Sequence, residues 1–224
     1  MNALAGSTPR LSTTYDGRFP GPADFDAVWE AVLDASGSWQ DVDCAEHLRG
    51  WCGPGTDRLV TGLADGLARV NHIGIYLGDY ERDDAVLDWH AHLVGLRAAG
   101  RIAEVETGPS YISPRQYGTQ GWWNSVVLPD GRAIETFACK HYGSWRERST
   151  EERRLLMSHL AVEVRAEADV RRTLDTLARD AAHLEVIAFT EADELGHTYG
   201  HLRNNADGTV LEIVHQAPRE GRTA

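Results

Sequence analysis

The sequence of 224 residues is short of cysteine, of long apolar runs and of basic charge. Its three cysteines, Cys44, Cys52 and Cys139, are too few and too differently placed to form a disulfide framework, which predicts reduced thiols in a cytoplasmic protein. No apolar run approaches the roughly 20 residues that a membrane span needs. The segment 1–17 also lacks the apolar core of a signal peptide. We therefore expect a cytoplasmic location and no membrane partner.

The shortage of basic charge excludes another class of partner. The chain has 22 Lys and Arg against 34 Asp and Glu, for a formal net charge of −12. A surface of this sign repels phosphate backbones, so we expect no nucleic-acid binding. The 42% of hydrophobic and 25% of charged residues are typical of a globular protein. The unusual count is ten histidines, and they direct the search for a site.

Residues 1–68 predict a flexible tail followed by a helical extension. Residues 1–20 are rich in Ser, Thr, Gly and Pro, which favours no fixed structure. Asp24 is a helix N-cap candidate, and the apolar residues behind it follow the spacing of one helical face: Phe25, Val28, Trp29, Val32 and Leu33. Shorter helices are predicted over 45–52 and 59–67. Their apolar faces must be buried on the main body or in a partner subunit.

From residue 69 onward the pattern predicts two consecutive βαβββ units. Strands and helices are predicted in the order strand 70–77, helix 83–96, strands 103–112, 122–128 and 133–138, then strand 158–164, helix 167–182, strands 184–189, 199–204 and 210–214. Residues 109–120 are predicted to be a loop or an interrupted strand. The modules span 69–145 and 146–216, and a tail covers 217–224. The fold class is α+β, with tandem modules that form a cupped mixed sheet.

The two units repeat at the level of single residues. Their first strands read Asn71-His72-Ile73-Gly74-Ile75 and Ser158-His159-Leu160-Ala161-Val162. Their last hairpins carry Glu135 and Glu212, each five positions after the Asp of an Asp-Gly turn. A single Glu could face solvent from a half-exposed strand, and a single His could be a satisfied core residue. Two of each at equivalent positions indicate one divalent ion, Fe²⁺, Ni²⁺, Zn²⁺ or Mn²⁺, that neutralises the buried carboxylates.

On these features residues 69–216 resemble the vicinal oxygen chelate superfamily, which includes glyoxalase I, methylmalonyl-CoA epimerase and the type I extradiol dioxygenases. The resemblance implies paired modules around a metal with open positions for two adjacent substrate oxygens. It also implies a ligand set of His72, Glu135, His159 and Glu212. Residues 1–68 and the loop 108–121 lie outside the pattern.

Hairpin geometry predicts which residues line the site. With a two-residue turn at Asp130-Gly131, Val126 lies opposite Glu135, and Trp122 and Asn124 share the face of Glu135. With a two-residue turn at Asp207-Gly208, Arg203 lies opposite Glu212 and shares its face with Tyr199 and His201. A β-bulge would reverse either assignment.

These positions suggest roles. His201 is a candidate acid or base because imidazole titrates near neutrality, and Tyr199 is a second catalytic candidate. Glu135 could act as base as well as ligand, as the resemblance to glyoxalase I implies. Arg203 could grip a substrate carboxylate or form a salt bridge at the rim. Trp122 and Tyr199 could equally fill the cup.

The segment 110–118 mixes aromatic, cationic and hydroxyl groups. Tyr111 and Arg115 are therefore further candidates for substrate binding, because loops that carry such groups often contact ligands. A purely structural connection that contains Pro114 is the alternative.

Three functions fit the sequence. The first is a metal-dependent lyase or isomerase that stabilises an enediolate of a small oxygenated substrate. The alternative is an Fe(II)-dependent dioxygenase of the extradiol type, in which His72, His159 and Glu212 form the triad; the fourth candidate ligand, Glu135, argues against it. The third is a ligand-sequestering resistance protein, which the intact ligand set disfavours. We expect a small-molecule substrate, and the sequence leaves open a homodimer and whether modules pair within or between chains.

Overall fold

The protein forms one eight-stranded mixed sheet with most of its helices packed on one face. The computed structural model describes residues 16–39, 42–193 and 196–217. Its α-helices are α1 (Phe25–Gly37), α2 (Cys44–Cys52), α3 (Asp57–Leu63), α4 (Asp83–Ala98), α5 (Ile112–Tyr117), α6 (Thr150–Met157) and α7 (Glu167–Asp180). Its strands are β1 (Leu67–Tyr80), β2 (Glu104–Pro109), β3 (Gly121–Val127), β4 (Ala133–Lys140), β5 (His159–Val164), β6 (Leu184–Thr190), β7 (Thr198–Asn204) and β8 (Val210–His215). This architecture confirms the predicted α+β fold with two βαβββ units.

The two units join through their first strands. The strand order is β2-β3-β4-β1-β5-β8-β7-β6. In each unit the first and last strands are parallel, whereas β1 and β5 run antiparallel at the centre of the sheet. Both units belong to one chain, so the sheet is completed without a second copy. The two first strands, each with a predicted His, therefore lie side by side.

The main core separates the sheet from the helices. Alternate strand residues face opposite sides. On β1, Ile73, Ile75 and Leu77 enter the core beneath the helices, so His72 and Gly74 face the other side of the sheet. Trp29, Trp89, Leu174 and Leu177 cover this core from α1, α4 and α7. The helix-free part of the opposite face is left for a cavity.

The helical extension packs on both modules, so its apolar faces are buried on the main body. On the first module, the rings of Phe25 and Trp89 meet edge to face with centroids 5.2 Å apart. On the second, the indole N–H of Trp51 donates to the Thr209 hydroxyl at 2.8 Å, and the Asn204 amide donates to the Trp51 carbonyl at 3.0 Å. Helix α1 thus serves the first module and α2 the last hairpin of the second.

Two helices were not expected from the sequence. The segment predicted to be a loop or interrupted strand contains α5, and α6 follows a 3-10 helix over Gly143–Glu147. Helix α6 begins with a capping box in which Ser149 and Glu152 satisfy each other's backbone N–H groups, a sequence signal that identifies this helix in retrospect. Tyr117 of α5 and Trp145 of the 3-10 helix pack with Tyr76 of β1 and Phe137 of β4 in a second core cluster at one end of the inner face.

Part of the segment expected to lack structure is ordered against the sheet. The prediction covered residues 1–20, of which 1–15 lie outside the described residues. Arg18 forms an isolated parallel bridge with Asp79, and the Phe19 N–H donates to the Asp79 carbonyl at 2.8 Å. A Cβ at Gly78, whose φ is +124°, would stand 2.5 Å from the Arg18 backbone. Composition missed this docking because it depends on close backbone approach and not on local propensity.

The structure also bears on the cysteines and on the possibility of a membrane-spanning helix. Cys44, Cys52 and Cys139 are all buried free thiols. None of the described helices combines the length and the apolar character required to cross a bilayer.

Candidate metal centre

A cavity of about 1070 Å³ opens on the inner face of the sheet. His72 on β1, Glu135 on β4, His159 on β5 and Glu212 on β8 all line it, and so do Tyr199 and His201 on β7. The four predicted ligands come from the four central strands of the sheet. The repeat therefore brings them together at the seam between the modules.

Three donor atoms form a compact triangle at this seam. His72 Nε2 lies 3.2 Å from Glu212 Oε2, and His159 Nε2 lies 3.1 Å from the same oxygen. The two Nε2 atoms are 3.3 Å apart. Glu135 is the outlying donor: its Oε2 is 3.6 Å from His72 Nε2, and 24% of its side chain is exposed. Glu212, in contrast, is almost fully buried.

The other ring nitrogens fix how the two imidazoles are oriented. His72 Nδ1 lies 2.9 Å from the Asn71 side-chain oxygen, and His159 Nδ1 lies 3.1 Å from the Met157 carbonyl. Both oxygens only accept hydrogen bonds, so each Nδ1 carries a proton, and in the neutral ring each Nε2 presents a lone pair. Ligating histidines are characteristically oriented in this way. Two lone pairs directed at each other and at one carboxylate oxygen favour a positive charge among them, either a proton on one ring or a metal ion.

The electrostatics of the cluster favour such a cation. Burial lowers the pKa of His72, but the charges of Glu135 and Glu212 outweigh burial and raise it to about 9. Burial raises the pKa of Glu212, but His72 and His201 outweigh it and hold the pKa well below its usual value. Burial lowers the pKa of His159 despite its contact with Glu212. The negative potential that holds a proton on a buried imidazole also stabilises a divalent ion.

The donor spacing fits a divalent transition ion. Ligand atoms about 2.0–2.2 Å from one ion are separated by about 2.8–3.6 Å when they occupy neighbouring positions of an octahedron or a tetrahedron. The four donor separations among His72, Glu135, His159 and Glu212 run from 3.1 to 3.6 Å. Imidazole and carboxylate donors suit Zn²⁺, Ni²⁺, Mn²⁺ and Fe²⁺, and they do not select one of them. The residues therefore fit the implied metal.

Gly74 makes room for one of the imidazoles. It pairs with His159 across the β1–β5 seam. A Cβ at position 74 would stand 2.4 Å from Cε1 and 2.7 Å from both nitrogens of the His159 ring. No real Cβ tolerates such contacts, so the ring occupies space that only glycine leaves free. The sequence pattern does not indicate this requirement, although Gly74 lies two residues after His72 on the same strand.

The expected register of the first hairpin is wrong by one residue. Leu128 pairs with Arg132 around a three-residue loop, so Ser125 and not Val126 lies opposite Glu135. A shift of one residue reverses every side chain of β3. Trp122 packs beside Tyr80 and Val86 on the opposite side, and Asn124 likewise turns away.

Trp123 and Ser125 line the cavity in place of Trp122 and Asn124. The overlooked signal is Pro129: Pro-Asp-Gly favours a type I turn followed by a left-handed Gly, and Gly131 has φ +89°.

The register of the second hairpin differs from expectation by two residues. Its loop has four residues, from Asn205 to Gly208, so His201 and not Arg203 lies opposite Glu212. An even shift preserves the face, and Tyr199 and His201 line the cavity as the alternation predicts. Arg203 shares their face but lies nearer the turn, opposite Val210, and outside the cavity lining. The structure thus separates the predicted cationic grip from the metal centre.

The remaining predicted residues lie on the cavity wall. Tyr111 and Arg115 both line it, Tyr111 just before α5 and Arg115 within it. Gln116 in the same helix donates to the Ile187 carbonyl at 2.8 Å, and this contact holds α5 against β6. Burial raises the pKa of Tyr199, which keeps its hydroxyl protonated as a donor. Phe137 and Phe189 add apolar surface.

Comparison with known proteins gives structural matches without sequence matches. No family model and no curated sequence matches the chain. Similar solved structures include a mutant 4-hydroxymandelate synthase from Streptomyces coelicolor (12% identity, 70% of this chain and 51% of that one, TM-score 0.41). A second is methylmalonyl-CoA epimerase from Mycobacterium tuberculosis, at 18% identity over 68% of this chain and 91% of that one, with a TM-score of 0.40. A third is a glyoxylase/bleomycin resistance protein/dioxygenase domain from Frankia sp. EAN1pec, at 20% identity over 67% of this chain and 99% of that one, with a TM-score of 0.25.

Two of these matched proteins, the synthase and the epimerase, are enzymes by name, and the epimerase bears the name of one of the proteins in the superfamily that the repeat resembles. The chain spans about half the length of the matched hydroxymandelate synthase. The TM-scores of 0.41 and below carry no residue roles from those proteins to this one.

Proposed function

We propose that the protein is a metal-dependent lyase or isomerase that moves a proton on a small oxygenated substrate. The observation that supports this most strongly is the convergence of His72 Nε2 and His159 Nε2 on Glu212 Oε2, 3.1–3.3 Å apart, at one wall of a cavity of about 1070 Å³. A bound ion would supply Lewis acidity toward a substrate carbonyl.

We assign proton transfer, hydrogen bonding and substrate binding to the residues around the metal centre. Glu135 is the most exposed carboxylate of the cluster and reaches into the cavity, so it is the group we assign to take up and return the substrate proton. The Tyr199 hydroxyl donates a hydrogen bond to a substrate oxygen. Arg115 and Tyr111 bind the far end of the substrate. Phe137 and Phe189 exclude water around its apolar part.

The experiment combines metal analysis with proton exchange. The protein is purified without oxygen, its metal content is determined by mass spectrometry, and the metal-free form is reloaded separately with Ni²⁺, Zn²⁺, Mn²⁺ and Fe²⁺. A panel of small 2-oxoaldehydes and 2-hydroxyketones is then incubated in D₂O and followed by NMR. Deuterium incorporation at the carbon beside the carbonyl, without oxygen uptake, is expected. Absence of a stoichiometric metal, or of exchange with every ion and substrate, would overturn the proposal.

Matched variants distinguish the loss of a catalytic or ligand group from a general effect of substitution on the fold. Glu135→Gln is expected to abolish deuterium exchange, because the amide cannot accept the proton. Glu185→Gln is the control: Glu185 is a solvent-exposed residue of β6 that lies outside the cavity lining. His159→Ala should lower metal content, whereas His215→Gln should not, because His215 Nδ1–H donates to the Val164 carbonyl at 3.2 Å and His215 lies outside the cavity lining.

An Fe(II)-dependent dioxygenase is the second candidate, and the geometry of the triangle favours it. The His72, His159 and Glu212 donors are nearly equidistant, as on one face of an octahedron, which is the arrangement of the 2-His-1-carboxylate iron oxygenases. Oxygen uptake that requires Fe²⁺ and a vicinal diol, with no deuterium exchange, would select this function over the first.

A further inference from the structure

We infer that His201 is a third imidazole ligand of the same ion. The inference rests on the metal centre of the proposed function and not on the choice of reaction. It concerns a residue for which the repeat has no counterpart, since the hairpin of the first module places Ser125 opposite Glu135 where the second places His201 opposite Glu212.

Distance is the first argument. His201 Nε2 lies 3.5 Å from Glu212 Oε2. This separation is longer than the 2.7–3.2 Å that is typical of an N–H···O hydrogen bond, but within the range of about 2.8–3.6 Å for two neighbouring ligands of one ion. His201, His159 and Glu212 offer donor atoms that all lie within 4.8 Å of one another. Three imidazole Nε2 atoms thus surround a single carboxylate oxygen.

Burial is the second argument. His201, His159 and Glu212 are all buried, whereas Glu135 is partly exposed. The Nδ1 atom of His201 is also buried and has no hydrogen-bond partner. A buried imidazole with one nitrogen unpaired and the other at 3.5 Å from its nearest partner is poorly satisfied by the protein alone. An ion at the centre of the cluster would satisfy Nε2.

The number of coordination positions is the third argument, because a third imidazole must still leave room for the substrate. An octahedral ion held by His72, His159, His201, Glu212 and Glu135 has a single open position, which is too few for two substrate oxygens. Without Glu135, four protein donors and two open positions remain. Glu135 is the member most easily released because its carboxylate is partly exposed and stands 3.6 Å from His72 Nε2. His201 therefore keeps the ion bound while Glu135 is free to act on the substrate.

The number of coordinated histidines can be measured directly. In the Co²⁺-loaded protein, each His bound through Nε2 gives one strongly shifted, exchangeable Nδ1–H signal in the proton NMR spectrum. We expect three such signals in the wild type and two in His201→Phe, which retains a ring but no donor. The His201 signal should exchange fastest in D₂O, because the Nδ1 atoms of His72 and His159 are held by acceptors. His215→Gln should keep all three.

Each result has one interpretation. Three signals that fall to two in His201→Phe, with circular dichroism unchanged, support the inference. Two signals in both proteins would overturn it and leave the metal centre intact, with His201 reduced to a neighbour of Glu212. A wild-type protein that binds no Co²⁺ would overturn the proposed function together with the inference. Glu135→Gln, used in parallel, is expected to keep all three signals.

Discussion

The two modules contribute unequally to one site. The first supplies His72 and the partly exposed Glu135, whereas the second supplies His159, the buried Glu212 and the buried His201. Their last hairpins also differ, with a loop of three residues in the first and four in the second. A sequence repeat therefore places candidate ligands at equivalent positions but does not give them equal burial. The second module is suited to hold an ion, and the first to expose a carboxylate to the cavity.

The largest effect should come from comparing the two glutamates. We expect Glu212→Gln to weaken metal affinity by more than about 1000-fold, beyond the 10–100-fold typical of groups that only support ligands, because His72 and His159 both lose their shared partner. Glu135→Gln should cost about tenfold, since it lies at the edge of the cluster. Competition with a chromogenic chelator measures both constants. Equal losses would contradict the asymmetry between modules.

The sequence predicted the features of this site that depend on strand order, but not those that depend on hairpin register. The tandem fold and the meeting of His72, Glu135, His159 and Glu212 followed from strand order, because equivalent positions of paired repeats must lie together. The face of β3 did not follow, because it depends on whether a hairpin loop is odd or even, and Asp130-Gly131 suits either. An even error in the second hairpin left His201 and Tyr199 correctly placed.

Contacts between residues far apart in the sequence could not be predicted from any local pattern. The need for glycine at position 74 and the docking of Phe19 at Asp79 are both contacts between distant parts of the chain. Helix α5 was missed for a related reason: its Gln116 is held by the bulged carbonyl of Ile187, which lies in the other module. Such contacts have no signature within a window of neighbouring residues.

A second test acts on the seam where the modules meet. Gly74→Ala places a methyl group 2.4 Å from the His159 ring and should displace that imidazole from the cluster. We expect metal affinity to fall by about 100-fold. Gly95→Ala in α4 is the matched control, because nothing lies within 4 Å of its added Cβ, and it should keep the affinity with a small gain in stability. Unchanged affinity in Gly74→Ala would show that the ring has room to move without leaving the site.

A third test sharpens the comparison of the hairpins through two adjacent tryptophans. Trp122→Ala should lower the free energy of unfolding by about 2 kcal/mol, because its ring packs with Tyr80 and Val86, while leaving cavity binding intact. Trp123→Ala should weaken binding of catechol to the Co²⁺-loaded protein by about tenfold, or about 1.4 kcal/mol, with a smaller loss of stability. Denaturant titration and absorbance titration measure the two effects. The reverse pattern would restore the register expected from a two-residue turn.

The smallest effect concerns the extension that supports the second module. His47 in α2 packs its ring against Trp39, with centroids 5.2 Å apart, and burial lowers its pKa from 6.5 to about 4. Because the folded protein binds this proton less readily than the unfolded chain, the stability that His47 contributes is complete above about pH 6.5 and is lost as the pH falls toward 4. Between pH 7.5 and 5.5 the loss should be about 1 kcal/mol. His47→Phe keeps a ring and removes the titration, so the difference between its unfolding free energy and that of the wild type should change by this amount over that interval.

The effect should also be local, because α2 reaches the hairpin of β7 and β8 through the hydrogen bond between Trp51 and Thr209. Hydrogen exchange in that hairpin should increase at pH 5.5 in the wild type and not in the variant, whereas exchange in the β3–β4 hairpin should be unaffected in both. Equal acceleration in the two hairpins would mean that the extension supports both modules alike.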